Sequence, residues 1–278
     1  MFRSLLFVPG DRPERFEKAA QSGADAVCID LEDAVSPSMK AVARKEALAY
    51  VNGAAPTGVA VGIRINALDA VDGLRDATAI ADAGVRPAFI LLPKVRSGEI
   101  IGILRSALAG VSRLWALMET PEALAGAPGL CASVGEEGGI VFGGADLSAA
   151  LGSDMSWESL YFARASLIAA AATAGCQTLD VPYLDVRDID GLIAETTRVK
   201  AMGFTGRSCI HPDQVAPINH IYTPTAEDIE KAQAIIDAYE RNQGRVLLHE
   251  GRLVEKPVLA AARRVLSRRR PGFIQGRE

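Results

Sequence analysis

Residues 26–33 have the sequence AVCIDLED, an apolar run that ends in charged side chains. The same form recurs four times: VAVGI before Arg64, AFILL before Pro93 and Lys94, LWALM before Glu119, and GIVF before the GGAD of residues 143–146. Continuous apolar runs of this length favour parallel strands buried on both faces. Charges at the C-terminal ends of such strands are typical of a (β/α)8 barrel, which collects its catalytic groups there.

Eight alternations of strand and helix predict that residues 1–222 form this TIM barrel. Strands are expected at residues 3–8, 26–31, 59–65, 88–92, 114–118, 140–143, 177–181 and 205–210. Helices are expected near residues 13 and 124, and over residues 37–50, 72–83, 98–109, 157–174 and 189–202. The alternative is a doubly wound sheet, but the first turn, Val8 to Asp11, lacks the Gly-x-Gly-x-x-Gly pattern of that fold.

Residues 223–278 lie outside the eight units and predict a C-terminal extension. Pro217 and Pro224 bracket an expected linker, which is followed by a helix over residues 226–241. A hairpin over residues 246–254 and a last helix over residues 258–266 complete the extension. A segment beyond a finished barrel needs something to pack on, so we expect an oligomer interface and a cover for the site.

Composition places the chain among globular proteins. It has 278 residues, 49% of them hydrophobic, and a net charge of −4, which argues against a general nucleic-acid surface. The four cysteines are far apart in sequence, which favours free thiols in a reducing compartment. No apolar run approaches the ~20 residues of a membrane span, and the run at residues 5–8 is too short for a signal peptide. We therefore expect a cytoplasmic protein without a membrane partner.

Two carboxylates, Glu119 and Asp146, are expected at the ends of the fifth and sixth strands, which are neighbours in a barrel. Without an accompanying His or Cys the ligand set is all oxygen, which favours Mg²⁺ or Mn²⁺ over Zn²⁺. Two protein ligands would leave coordination positions for water and substrate. The structural alternative is a surface pair that closes helix N-termini.

Further charges follow the second, third and fourth strands. Glu32 and Asp33 cannot both face the same way, and one could hydrogen-bond metal-bound water, with an N-cap role as the alternative. The planar guanidinium of Arg64 suits bidentate capture of a carboxylate or keto acid, and a salt bridge to a nearby carboxylate is compatible with that role. For Lys94 a structural role is favoured.

The first strand leads into a basic segment that contains Arg12, Arg15 and Lys18. These side chains could bind phosphates at a basic rim, whereas a solvated helical face is the usual alternative. The three histidines show no metal-ligand spacing, and the sequence contains neither a nucleophile elbow nor a P-loop.

Eight short motifs in order resemble the citrate lyase β-subunit-like family of acyl-CoA lyases, within the HpcH/HpaI aldolase superfamily. They cover nearly the whole chain: LFVPG (6–10), DLEDAV (30–35), RIN (64–66), LPK (92–94), METP (118–121), GGADL (143–147), IHP (210–212) and GRLVEKP (251–257).

The resemblance implies a Mg²⁺-binding barrel with Glu119 and Asp146 as protein ligands and Arg64 on the carboxylate of a 2-keto acid. It implies outer positions for Glu32 and Asp33. Substrate contacts are expected at Arg64, Glu119, Gly144, Ala145 and Asp146, and coenzyme A contacts at Phe7, Arg12 and Lys18. Relatives carry a catalytic Asp in the C-terminal segment, projected into a neighbouring subunit's site. Here the matching residue is Glu255, which is longer by one methylene.

With these residues, the resemblance implies a Claisen-type carbon–carbon lyase that cleaves a 3-hydroxyacyl-CoA of the malyl-CoA or citramalyl-CoA type to acetyl-CoA and a 2-keto acid. The expected partners are acyl-CoA and a small keto acid, and the expected assembly is a homo-oligomer, a trimer or a hexamer. Two alternatives remain open. One is a keto-acid aldolase that works without coenzyme A, and the other is a citrate lyase β subunit that acts on an acyl-carrier-protein thioester within a complex.

Overall fold

The computed structural model describes residues 1–53, 58–84, 86–108 and 113–268. Within this part of the chain, eight parallel strands pair in chain order and close into a barrel. The predicted fold class is therefore confirmed. The strands are β1 (Ser4–Pro9), β2 (Ala26–Asp30), β3 (Ala60–Arg64), β4 (Ile90–Leu92), β5 (Leu114–Met118), β6 (Gly139–Phe142), β7 (Gln177–Asp180) and β8 (Gly206–Cys209).

Helices follow the strands along the chain and surround the barrel. Short 3₁₀ turns at Pro13–Arg15, Pro37–Met39 and Pro212–Gln214 each begin with proline, whose fixed φ suits a first helical position. The helices up to the eighth strand and just after it are α1 (Phe16–Ala20), α2 (Lys40–Asn52), α3 (Val71–Ala83), α4 (Glu99–Ala107), α5 (Pro121–Ala125), α6 (Ala127–Val134), α7 (Gly144–Leu151), α8 (Trp157–Ala174), α9 (Ile189–Met202) and α10 (Val215–Tyr222).

Alternate residues of each strand fill the barrel interior, and this alternation decides which terminal side chains face the mouth. Trp115 and Leu117 of β5 belong to the buried interior cluster, so Glu119 continues on the same face. Ala26 and Cys28 of β2 belong to it too, which puts the next inward position at the last residue of that strand. Asp30 and Glu119 therefore lie on the barrel's inner face at its C-terminal end.

The structure differs from the sequence-based expectation at three helices. Strand β6 ends at Phe142, and residues 144–151 form the helix α7, which the Gly-Gly-Ala-Asp segment does not announce. The expected linker around Pro217 is the helix α10, because proline in a first turn removes no intrahelical hydrogen bond. The helical segment near Leu124 is followed by a second helix, α6. Residue 109, the expected end of the fourth helix, lies outside the described residues.

The chain forms two compact units, Met1–His220 and Ile221–Glu278. In the second unit, α11 (Ala226–Arg241) and α12 (Lys256–Ser267) flank a hairpin of β9 (Leu247–His249) and β10 (Arg252–Val254). Glu250 and Gly251 join the two strands with φ of 48° and 74°. A two-residue turn with both φ values positive matches the twist of a hairpin, and glycine adopts such a conformation without strain.

The second unit has its own apolar core, which includes Ile236, Tyr239, Val254 and Leu259. The four cysteines predicted as free thiols are free and buried. None of the described helices is long and apolar enough to cross a membrane.

Candidate active site

Arg64 and Asp30 form the best-defined pair at the barrel mouth. They are direct register partners on β3 and β2, so their inward side chains are neighbours. The Arg64 Nε and Nη2 atoms donate to the two Asp30 oxygens at 2.6 Å and 2.5 Å. Burial alone would lower the pKa of Arg64, but the hydrogen bonds to Asp30 and the negative charges of Asp30 and Glu32 together raise it. The expected salt bridge of Arg64 is present.

The Asp30 carboxylate also shapes the loop that follows β2. Its oxygens accept the main-chain N–H groups of Glu32, at 2.8 Å, and of Ala34, at 3.1 Å. This bonding turns the buried Glu32 side chain toward Arg64, whose Nη1 lies 2.9 Å from Glu32 Oε2. Asp33 is more exposed, at 54% of its side chain, and its carboxylate lies 3.9 Å from the same Arg64 Nη1 atom. The two adjacent acids were expected to face differently, but both carboxylates lie beside Arg64 and Lys94.

Lys94 connects this group to Glu119. Its Nζ lies 2.6 Å from Glu32 Oε1 and 3.4 Å from Asp33 Oδ1. Its main-chain N–H donates to Glu119 Oε1 at 2.5 Å. Neither Glu32 oxygen has a hydrogen bond of good geometry within the described residues, although both lie beside cations. Glu32 is therefore a buried acid whose two oxygens are each paired with a cation.

Glu119 is 3% exposed and follows directly after β5. Gly143, the residue after β6, packs against its side chain, since a Cβ there would lie 2.4 Å from Glu119 Cβ and 2.8 Å from Oε2. Burial raises the pKa of Glu119 to about 8, with further contributions from the negative charges of Glu32 and Asp146. Burial likewise raises the pKa of Glu32.

Asp146 lies in the first turn of α7 and not, as expected, at a strand end. Its carboxylate is exposed and near enough to Glu119 to raise that pKa. Gly144 is buried and Ala145 is exposed at the start of the same helix. The first N–H groups of a helix have no intrahelical acceptor and carry partial positive charge, so they face ligands well.

The balance of charge suits a divalent cation. Two cations, Arg64 and Lys94, are set against five carboxylates: Asp30, Glu32, Asp33, Glu119 and Asp146. In the part of the chain that the structure describes, no cluster of three or more His, Cys, Asp or Glu side chains is arranged to hold a metal ion. Glu119 and Asp146 could therefore hold an oxygen-preferring ion only together with water or substrate oxygens.

The expected coenzyme A residues are not all near this cluster. The Phe7 ring, half-buried on β1, lies under Arg64, with its centroid 5.2 Å from the guanidinium carbon. Arg12 and Lys18 are exposed beyond β1, and no hydrogen bond or ion pair among the described residues joins either to the cluster. Glu255 is exposed as the N-cap residue of α12, in the second unit, and makes no side-chain cap there.

Two residues of the cluster were missed or undervalued in the prediction from sequence. Asp30 received no role in the prediction. It could have been found, because it lies on the same face of β2 as Ala26 and Cys28 and at the end of that strand. For Lys94 the sequence favours a structural role. No local sequence pattern predicts that its main chain and its side chain contact different acids. Both assignments depend on neighbours from other strands.

Comparison with known proteins agrees with the resemblance. The profile of the family described as HpcH/HpaI aldolase/citrate lyase matches residues 3–212, and that of a carbon–carbon bond lyase of the TIM-barrel fold matches residues 157–270. Among sequences, citrate lyase subunit beta of Escherichia coli K12 is 31% identical over 96% of this chain and 92% of its own length. Mitochondrial citramalyl-CoA lyase of Rattus norvegicus is 28% identical over 95% and 85%.

A solved structure is similar throughout. Protein CitE from Mycobacterium tuberculosis, in complex with magnesium, acetoacetate and coenzyme A, superposes with a TM-score of 0.80 at 32% identity, over 96% of this chain and 97% of that one. The family profile covers most of the barrel, and the relatives named are lyases. This chain therefore belongs to the HpcH/HpaI aldolase/citrate lyase family and is a carbon–carbon lyase.

Proposed function

We propose that the protein is a Mg²⁺-dependent lyase that cleaves a 3-hydroxyacyl-CoA of the malyl-CoA or citramalyl-CoA type to acetyl-CoA and a 2-keto acid. The observation that carries the proposal is the buried Glu119, whose pKa burial raises to about 8 and which lies in a cluster of further carboxylates with the Arg64–Asp30 pair. The relatives named citramalyl-CoA lyase and the CitE structure with magnesium and coenzyme A support it.

Glu119 and Asp146 would hold the ion, which when bound supplies a Lewis acid for the substrate's hydroxyl or carbonyl oxygen. Mn²⁺ would suit the same oxygen ligands. Arg64 orients the substrate carboxylate. Of its five N–H donors two go to Asp30 and one faces Glu32, which leaves two for a ligand. The first N–H groups of α7, at Gly144 and Ala145, are available to the same carboxylate.

Two acidic side chains, Glu32 and Glu255, carry out the proton transfers. Glu32, whose pKa burial raises, takes the hydroxyl proton as the carbon–carbon bond breaks. The hydroxyl carbon becomes the carbonyl of the 2-keto acid, and the electron pair of the broken bond leaves with the thioester as its enolate. Glu255 of a neighbouring subunit then protonates the enolate carbon to give acetyl-CoA. Asp33 is assigned to the outer shell beside Glu32, and Phe7, Arg12 and Lys18 to the coenzyme A entrance.

The deciding experiment incubates the purified full chain and Mg²⁺ with malyl-CoA, citramalyl-CoA and hydroxymethylglutaryl-CoA, and measures acetyl-CoA or acetoacetate release. We expect cleavage of a malyl-type substrate. Activity only on an acyl-carrier-protein thioester would instead support the citrate lyase β subunit, which the 31% identity to that subunit makes the second candidate. Cleavage of free keto-acid aldols alone would support the aldolase.

A further inference from the structure

Lys94 has a left-handed backbone, with φ of 52°. The other described non-glycine residues with positive φ, Gln243 and Glu250, lie in the second unit, next to a helix end and in the hairpin turn. A side chain makes this conformation unfavourable, so it persists where the surrounding structure imposes it, and it is concentrated at functional sites. Lys94 follows β4 at the barrel mouth, where the proposed reaction takes place.

This left-handed residue contacts three acids, one through its main chain and two through its side chain. The conformation points the Lys94 N–H at Glu119 and sends the side chain the other way, to Glu32 and Asp33. The ammonium is not enclosed, because 44% of the side chain is exposed, whereas Glu32 is nearly fully buried.

The mouth needs that charge if its substrate is an acid. Asp30 takes two of the N–H donors of Arg64, and the other carboxylates of the cluster would repel an incoming carboxylate. Lys94 is the second cation of the cluster. Its ammonium contacts one oxygen of the Glu32 carboxylate, and Arg64 contacts the other. An ammonium that is half exposed can offset this repulsion without leaving its ion pairs.

We propose that Lys94 is a specificity-determining residue, which admits a negatively charged 2-keto acid to a mouth rich in carboxylates. It does so by holding Glu32 and Asp33 in ion pairs, while its main chain keeps Glu119 in place. This inference rests on the proposed function, since it takes a keto acid as the ligand. It predicts that the side chain governs the choice between charged and uncharged ligands, and that the main chain governs Glu119.

The test uses the full chain and titration calorimetry with Mg²⁺, then with pyruvate and its uncharged methyl ester at saturating Mg²⁺. Lys94→Met should weaken pyruvate binding about ten-fold or more, the loss expected when a positive charge near a bound anion is removed, and leave the ester unchanged. Mg²⁺ binding should be unchanged or tighter, because a positive charge has been removed near the site. Lys94→Arg should restore the preference for pyruvate.

Arg75→Met is the matched control, since it removes one cation and one exposed ion pair, at 3.4 Å to Asp72, on the helix α3. It should leave all three titrations unchanged. If Lys94→Met does not fold, Lys94→Gly replaces it, because glycine adopts this φ without strain and keeps the N–H.

Equal weakening of acid and ester, or weaker Mg²⁺ binding with a lower melting temperature, would show that Lys94 is merely structural and overturn the inference. Failure of the proposed function has a different signature. The wild-type chain would then bind neither pyruvate nor its ester, whatever stands at position 94, and both ideas would fall.

Discussion

Arg64 shows how one residue at the mouth serves both the fold and the proposed chemistry. It is fixed by Asp30 and still has donors for a ligand. Arg64→Lys keeps the charge but loses the paired N–H donors of the planar guanidinium, so we expect kcat/KM to fall on the order of 100-fold or more. Steady-state kinetics with the best acyl-CoA would measure this. Unchanged kinetics would mean that Arg64 acts only as an ion-pair partner.

The proposed metal ligands make the next prediction. Glu119→Ala and Asp146→Ala should each lose most of the affinity for Mg²⁺, and chelation of the wild-type protein should abolish cleavage. The fold should survive, since both side chains lie at the mouth and neither belongs to the apolar core. Calorimetric titration with Mg²⁺ and circular dichroism would check both points. Full activity of either variant in EDTA would contradict the assignment.

The raised pKa of Glu119 predicts a pH dependence of stability. An acid whose pKa rises on folding, here from 4.5 to about 8, binds its proton more tightly in the folded state. Without metal, Glu119 is neutral well below pH 4.5 in both states, and its burial destabilises the fold increasingly as the pH rises from there to 8. In EDTA we therefore expect Glu119→Gln to melt a few degrees above the wild type at pH 9 and level with it near pH 4.5.

Thermal unfolding in EDTA and in excess Mg²⁺ would test this. Mg²⁺ should reverse the order at pH 9, since only the wild type would then be stabilised by the ion. Glu137→Gln, in the exposed turn before β6, changes an acid to its amide outside the cluster and should behave as the wild type. A pH-independent difference between Glu119→Gln and the wild type would rule out the titration of Glu119 as its cause.

At the scale of elements, the strand ends bring the site together and α7 completes it. Most strand and helix bounds follow from the sequence, because buried parallel strands are continuous apolar runs and the helices between them have clear ends. The bounds of the helix α7 do not follow from the sequence, since Gly-Gly-Ala-Asp has no helical periodicity. It forms where Gly143 lets the chain cross close over Glu119.

That crossing makes Gly143→Ala a test of α7. The added methyl would clash with the Glu119 side chain, so we expect Mg²⁺ affinity to fall about ten-fold or more as the carboxylate is displaced. Gly102→Ala is the control, because a Cβ at that helical glycine of α4 meets nothing within 4 Å. Mg²⁺ titration of both variants would show the contrast, and equal affinities would mean that Glu119 does not need this packing.

At the scale of the whole molecule, the second unit carries an exposed carboxylate, Glu255, for which its own unit gives no cap role. We propose a homo-oligomer, a trimer or hexamer, in which Glu255 completes a neighbouring subunit's site. Glu255→Gln should keep assembly and Mg²⁺ binding but stop proton exchange at the methyl group of acetyl-CoA. Mixing it with Arg64→Ala should restore part of the activity after subunits exchange.

Light scattering and exchange of a tagged subunit would establish the oligomer and the mixing. The matched control mixes Arg64→Ala with Glu119→Ala, which damage the same half of the proposed shared site and should not complement each other. If exchanged mixtures with Glu255→Gln stay inactive, Glu255 acts within its own chain or has no catalytic role.

The sequence by itself determined the barrel and the strand ends at which Glu32, Glu119 and Arg64 lie, because periodicity and burial are local properties of each run. Only the tertiary structure decided the partners. Asp30 meets Arg64 through the register of β2 and β3, and Lys94 reaches Glu32 and Glu119 through a left-handed backbone. Register, backbone strain and the burial that raises the pKa of Glu119 arise from contacts between segments far apart in sequence, which no single segment encodes.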